Sequence, residues 1–199
     1  MYRGLKFKII MESKDAPKDM RLRTLKHWCK EYHDYNLAPP YPGGSYGNLS
    51  FRLKKGKNEF VITGSRIGLK DCLTPECFVK VRDVDLKKGI VYASGSKEPS
   101  SESMLHYAIY NARPDINAIF HGHSGRILKF GLRMWLCYTS QERSCGTLSL
   151  VKEVLKVLDR NFFIVMKGHG FLSLGKTIDE AGELSLSVFK ACASGREGS

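Results

Sequence analysis

Three histidines in this chain stand where they could share a metal ion. His121 and His123 flank Gly122 in an H-x-H pair. On an extended strand, residues two apart project to the same face, so both imidazoles can reach one ion. Imidazole nitrogen suits Zn2+, Fe2+, Co2+ or Mn2+. Alone, the pair fits two internally satisfied histidines near a strand end at least as well. His169 shifts that balance. It lies in Lys167-Gly168-His169-Gly170, directly after the apolar run Phe162–Met166, and flanking glycines let the backbone turn and approach a bound group. Three histidines with coordination positions left open is the pattern of a catalytic rather than a structural metal site; a plain turn histidine is the competing reading of His169.

Three further segments have the chemistry of anion sites. Pro99-Ser100-Ser101-Glu102 opens a helix. A serine at its N-cap accepts a backbone N–H, and the free N–H groups and dipole favour a phosphate or carboxylate. A well-capped helix with Glu in its first turn is the bland alternative. Tyr46-Gly47-Asn48-Leu49-Ser50 leads into a strand and Ile62-Thr63-Gly64-Ser65 leaves one. Each could offer backbone N–H, amide or hydroxyl groups to a phosphate, and each could equally be turn chemistry.

The elements that must position these residues follow from periodicity. Residues Pro17 to about Asn36 read as a helix with Leu22, Leu25, Trp28, Cys29 and Tyr32 on one side, ended by the turn-rich Pro39–Gly44. Asn48–Leu53 and Asn58–Thr63 form a hairpin, and Phe78–Ala93 a second one turning near Leu86–Gly89. Met104, Leu105, Ala108, Ile109 and Ala112 give a helix over about Ser101–Arg113 a buried face. Ile116–His121 reads as a buried strand, Ser124–Leu132 as a short helix, Thr147–Arg160 as an amphipathic helix, Phe162–Met166 as a strand, and Ile178 to about Ala193 as a last helix. Strands and helices mix without strict alternation, so one α/β domain is expected, a mostly antiparallel sheet flanked by helices. It should occupy residues 17–194, after an N-terminal extension at 1–16 and before a flexible tail at 195–199.

Size and composition agree with an independent globular fold. The 199 residues are 42% hydrophobic and 26% charged, enough for a core without a staple. Six cysteines form no C-x-x-C pair and read as reduced thiols, as in a cytoplasm. No apolar run approaches the ~18 residues that a membrane span needs. The formal net charge is +12, but the basic residues are scattered and form no nucleic-acid motif. No nucleic-acid or membrane partner is therefore expected. A positive background raises the local concentration of a phosphorylated substrate.

Taken in order, these motifs resemble the class II aldolase/adducin family. The densest likeness runs from Lys97-Glu98-Pro99-Ser100-Ser101-Glu102 and Leu105-His106 through Ala112-Arg113-Pro114-Asp115 to Ile119-Phe120-His121-Gly122-His123-Ser124. Gly47-Asn48-Leu49-Ser50, Thr63-Gly64 and Gly168-His169-Gly170 match as well. The resemblance implies that His121, His123 and His169 bind a divalent metal, usually zinc in the aldolases, and that Glu102 is the acid/base. It also implies that Gly47, Asn48, Thr63, Gly64, Ser100 and Ser101 hold a substrate phosphate. The implied activity is aldol cleavage of a ketose-1-phosphate such as fuculose-1-phosphate, through an enediolate, in a homotetramer with interfacial active sites. A pentulose-5-phosphate 4-epimerase or a methylthioribulose-1-phosphate dehydratase would use the same site. Adducin-type members, which serve as interaction modules, have lost the metal set that this chain keeps.

Two features depart from the family. Gly122 stands where the aldolases usually have Thr. The stretch from His123 to Thr147, where a Tyr acting in the neighbouring subunit's site is often found, is short and holds only Tyr138.

Overall fold

The computed structural model describes residues 7–194, so the proposed tail at 195–199 lies outside it, as do residues 1–6. Strand β1 (Lys8–Ser13) precedes helix α1 (Leu22–Asp34). A two-stranded ribbon, β2 (Pro40–Tyr41) and β3 (Gly44–Ser45), leads into β4 (Asn48–Arg52) and β5 (Phe60–Thr63). The hairpin β6 (Phe78–Asp85) and β7 (Ile90–Ser94) is followed by α2 (Ser103–Ala112), β8 (Ala118–Gly122) and α3 (Gly125–Phe130). The chain ends with β9 (Cys137–Tyr138), α4 (Leu148–Leu158), β10 (Phe163–Met166), β11 (Gly170–Gly175) and α5 (Ile178–Ser194).

Nine strands form one sheet in the order β1-β7-β6-β5-β4-β8-β11-β10-β9. This sheet is mixed, which corrects the expectation of a mostly antiparallel one: β1 joins β7 and β9 joins β10 in parallel. Both parallel partners arrive by long crossovers rather than hairpins, and hairpins were the signal that the sequence offered. β1 also falls within the segment expected to be an extension, and it continues the sheet through pairs such as Ile9 with Val91.

The alternation of side chains across the strands builds two cores. Phe120, Val165 and Phe171 join Leu25, Trp28 and Tyr32 of α1 and Ala181 and Val188 of α5 on one face. Their chain neighbours Ile119, Ile164 and Leu172 join Met104, Leu105 and Ile109 of α2 and Val151 and Val154 of α4 on the other. The Trp28 indole N–H donates to Asp179 at 2.8 Å and pins α1 to the start of α5. These two layers hold the central strands β4, β8 and β11 rigid, and it is the ends of those strands that carry the histidines.

Candidate active site

The site forms at one end of the central strands. Asn48, the first residue of β4, pairs with His121 of β8, and His121 pairs on its other side with Leu172 of β11. His123 lies just beyond the end of β8, with its backbone N–H donating to the Leu37 carbonyl at 2.8 Å. His169 sits in the turn joining β10 to β11. The three imidazoles converge, each offering a ligand nitrogen, and these nitrogens lie within 4.8 Å of one another.

Hydrogen bonding sets the state of His121. Its Nδ1 lies 2.8 Å from the Phe171 carbonyl oxygen, which only accepts, so the proton of the neutral ring is on Nδ1. Nε2 then presents a lone pair, buried and without a hydrogen-bond partner. Burial, reinforced by the neighbouring His169, holds the His121 imidazolium well below the usual histidine range. Burial likewise pushes His123 down to about 2. Neutral imidazoles with a fixed tautomer are metal ligands in waiting.

Glu102 lies opposite them. The expected helix begins later than predicted, at Ser103, and Glu102 is its N-cap residue, with no capping bond from its side chain. Ser100 takes part of that role, its hydroxyl accepting the Glu102 N–H at 3.3 Å. The Glu102 carboxylate is thereby free to turn inward. Its Oε2 accepts from the Asn48 amide at 2.8 Å and stands 3.1 Å from His121 Nε2; Oε1 stands 3.6 Å from His169 Nε2. Oε1 is buried without a hydrogen-bond partner. Carboxylate oxygen facing imidazole lone pair, with nothing to donate between them, is a set that a divalent cation satisfies. The residues present thus fit the metal that the sequence implied.

Above this floor opens a cavity of about 240 Å³. Gly47, Asn48, Gly64, Ser100, Ser101, Glu102, His123 and His169 all line it. Gly47 must be glycine: its φ is +73°, and a Cβ there would lie 2.6 Å from the His121 carbonyl oxygen. Thr63 is buried off the cavity wall, its hydroxyl accepting the Leu49 N–H at 3.3 Å. Gly64 borders the cavity, but its N–H is spent on the Cys77 carbonyl at 2.8 Å. The next two residues, Ser65 and Arg66, face the cavity with it. Sequence reasoning named Ser65 and Tyr46 as members of the two glycine turns, and missed Arg66, Arg143 and Cys145 on the same walls. Tyr46 rests its ring 5.0 Å from that of His123. Tyr138 is elsewhere, its hydroxyl donating to the Ile127 and Leu128 carbonyls.

Residues 24–194 match the family described as Class II Aldolase and Adducin N-terminal domain. The chain belongs to this family. Among relatives, L-fuculose phosphate aldolase of Methanococcus vannielii is 30% identical over 159 residues, 71% of this chain and 78% of its own. A methylthioribulose-1-phosphate dehydratase of Gluconacetobacter diazotrophicus is 36% identical over 78 residues, 39% of this chain and 34% of its own. The solved structure of an L-fuculose 1-phosphate aldolase superposes with a TM-score of 0.68 at 22% identity, covering 92% of this chain and 90% of that one. The fold is thus that of the class II aldolases. In this member the space that Thr would need between the two histidines is taken: a Cβ on Gly122 would meet the Phe171 ring at 2.5 Å and the Tyr32 ring at 2.9 Å. No helix among the described residues is long and apolar enough to cross a membrane.

Proposed function

We propose that this protein is a metal-dependent lyase that cleaves a ketose-1-phosphate, such as fuculose-1-phosphate, to dihydroxyacetone phosphate and an aldehyde. The observation that carries this reading is the convergence of His121, His123 and His169 on the Glu102 carboxylate at the floor of one polar cavity. The three histidines would hold the ion, with Zn2+ the first choice and Fe2+, Co2+ or Mn2+ the others that suit imidazole. A divalent cation there supplies Lewis-acid polarisation of the substrate's oxygens.

The chain's own groups do the rest. Glu102 moves the proton to or from the carbon beside the carbonyl, and the Asn48 amide holds its carboxylate in line. Gly47, Asn48, Ser100 and Ser101 form the phosphate cradle, joined by Arg66, while Thr63 lies off the cavity wall and the Gly64 N–H is spent on Cys77. Binding of the remote phosphate orients the bond that breaks. Tyr46, whose ring lies against His123 on the cavity wall, is a phenol that can relay the proton released when the substrate hydroxyl beside the breaking bond becomes the aldehyde carbonyl. A second groove reaches His123 and His169 from the side of Asn36, Ser124, Arg126 and Phe189. A neighbouring subunit of the homotetramer that the family resemblance implies would close that opening.

A coupled assay for dihydroxyacetone phosphate tests the proposal, with several ketose-1-phosphates offered before and after chelation. Release from one of them, abolished by chelator, is the expected result. No release from any, with metal still bound, overturns aldol cleavage. The likeness to a methylthioribulose-1-phosphate dehydratase makes loss of water from that substrate the second reading to assay.

A further inference from the structure

Lys70 lies in the connection between β5 and β6 and is only 2% exposed. Its Nζ donates to the Ser45 hydroxyl at 2.9 Å, the Tyr46 carbonyl at 2.9 Å and the Ser45 carbonyl at 3.3 Å. All three protons of the ammonium are thereby used. The Ser45 hydroxyl passes the link on, donating to the Gly68 carbonyl at 2.9 Å. Two loops are latched together in this way, and both line the cavity, one through Ser45–Asn48 and the other through Gly64–Ile67.

No carboxylate among the described residues pairs with Lys70. Burial lowers its amine to about 8, the Cys29 thiol opposing slightly, so at neutral pH it remains largely a cation. A buried cation without a carboxylate partner is costly, and among the described residues its hydrogen-bond partners are oxygens of the cavity wall. The wall that it braces continues into Tyr46, whose ring lies against His123, and Asn48, whose amide holds Glu102.

We infer that Lys70 is a positioning residue for the substrate's anionic group: it fixes the Ser45–Asn48 wall and places an uncompensated positive charge behind it. This rests on the sugar-phosphate reading of the cavity. The charge does what a counter-ion would do without touching the ligand, because at this depth little water screens it. An apolar side chain in its place would remove the charge and leave the Ser45 and Tyr46 carbonyls without a donor.

The test is calorimetric titration of inorganic phosphate into the full-length protein purified without chelator, as wild type, Lys70→Met and Lys70→Gln. Metal content and circular dichroism establish that each variant is loaded and folded. Lys70→Met is expected to weaken phosphate binding at least tenfold and raise KM for the sugar phosphate in proportion, with kcat falling by a smaller factor than KM rises and metal content unchanged. Lys70→Gln, which keeps amide donors but no charge, is expected to recover no more than a third of the loss. Folded Lys70→Met that binds phosphate within twofold of wild type overturns the inference, as does Lys70→Gln with wild-type affinity. Failure of both variants to fold also overturns it, making Lys70 a residue of the core alone. If wild type itself binds no phosphate, the sugar-phosphate reading fails and takes this inference with it; wild-type binding with an indifferent Lys70→Met sinks the inference alone.

Discussion

His121 Nε2 and Glu102 Oε2 stand 3.1 Å apart, and with the His121 proton committed to the Phe171 carbonyl no hydrogen lies between them. In the metal-free protein this is a buried lone pair against a carboxylate, an arrangement that costs free energy until a cation enters. Glu102→Gln changes both sides of the balance. Its amide can donate to His121 or His169, so the metal-free protein should gain about 1 kcal/mol, read as a higher urea midpoint. The same variant cannot move a proton, so kcat should fall by about 10²–10⁴. Loss of activity accompanied by equal loss of metal-free stability would contradict this picture.

Acid should unfold the metal-free protein through its histidines. Burial lowers His106 to about 4 and His123 to about 2, and puts His121 well below its ordinary value. The unfolded chain takes up protons near pH 6.5 while these folded imidazoles do not. Stability therefore falls as pH drops below about 6.5. Each such imidazole contributes a slope approaching about 1.4 kcal/mol per pH unit, until pH passes its folded value. Urea unfolding of chelated protein between pH 7 and pH 5 should show the steep decline. His106→Gln should flatten it by one imidazole's share; a flat profile in wild type would mean that these rings are not buried and neutral.

Arg66 combines backbone strain with a guanidinium that has no hydrogen bond or ion pair among the described residues. Its φ is +55°, a region that costs a non-glycine residue up to about 1–2 kcal/mol, and it borders the cavity. Arg66→Gly should relieve the strain and hold or raise the thermal midpoint, less the extra entropy that glycine loses on folding. KM for a phosphorylated substrate should rise about tenfold, equal to about 1.4 kcal/mol of binding. A rise in the midpoint with KM unmoved would leave Arg66 without a role in the cradle.

How far the sequence discloses this site can be traced residue by residue. The histidines and Glu102 were legible because glycine flanks, an H-x-H step and a helix start are local signals. The helices and the two hairpins were legible for the same reason, from periodicity within one segment. The parallel edges of the sheet were not. The pairing of β1 with β7 and of β9 with β10 depends on segments tens of residues apart, and the two residues of β9 carry no pattern. Strand β11 was hidden by its two glycines and by burial on both faces. Arg66 and Lys70 were missed because a loop's direction decides which of its residues faces a cavity or packs behind its wall. Thr63 and Gly64 illustrate the converse: the motif was read, but the fold buries Thr63 off the wall and gives the Gly64 N–H to Cys77.

Gly122 offers a test of how this member differs from its relatives. The family resemblance places Thr between the two histidines, yet here Phe171 and Tyr32 fill that space. Gly122→Thr should overpack the core and destabilise the protein by about 1–3 kcal/mol. The damage should reach the metal, because the residue displaced is Phe171, whose carbonyl fixes the His121 tautomer, and loss of such support costs roughly 10- to 100-fold in metal affinity. Phe171→Leu alone should destabilise by leaving a void against Phe163 and Tyr32. Combined, the two substitutions exchange volume between neighbouring positions, so their effects should be non-additive, with a favourable coupling of about 0.5–3 kcal/mol. Urea unfolding of the two single variants and the double variant measures that coupling, and metal titration shows whether affinity returns with it. Strict additivity would mean that Phe171 is not what excludes a side chain from position 122.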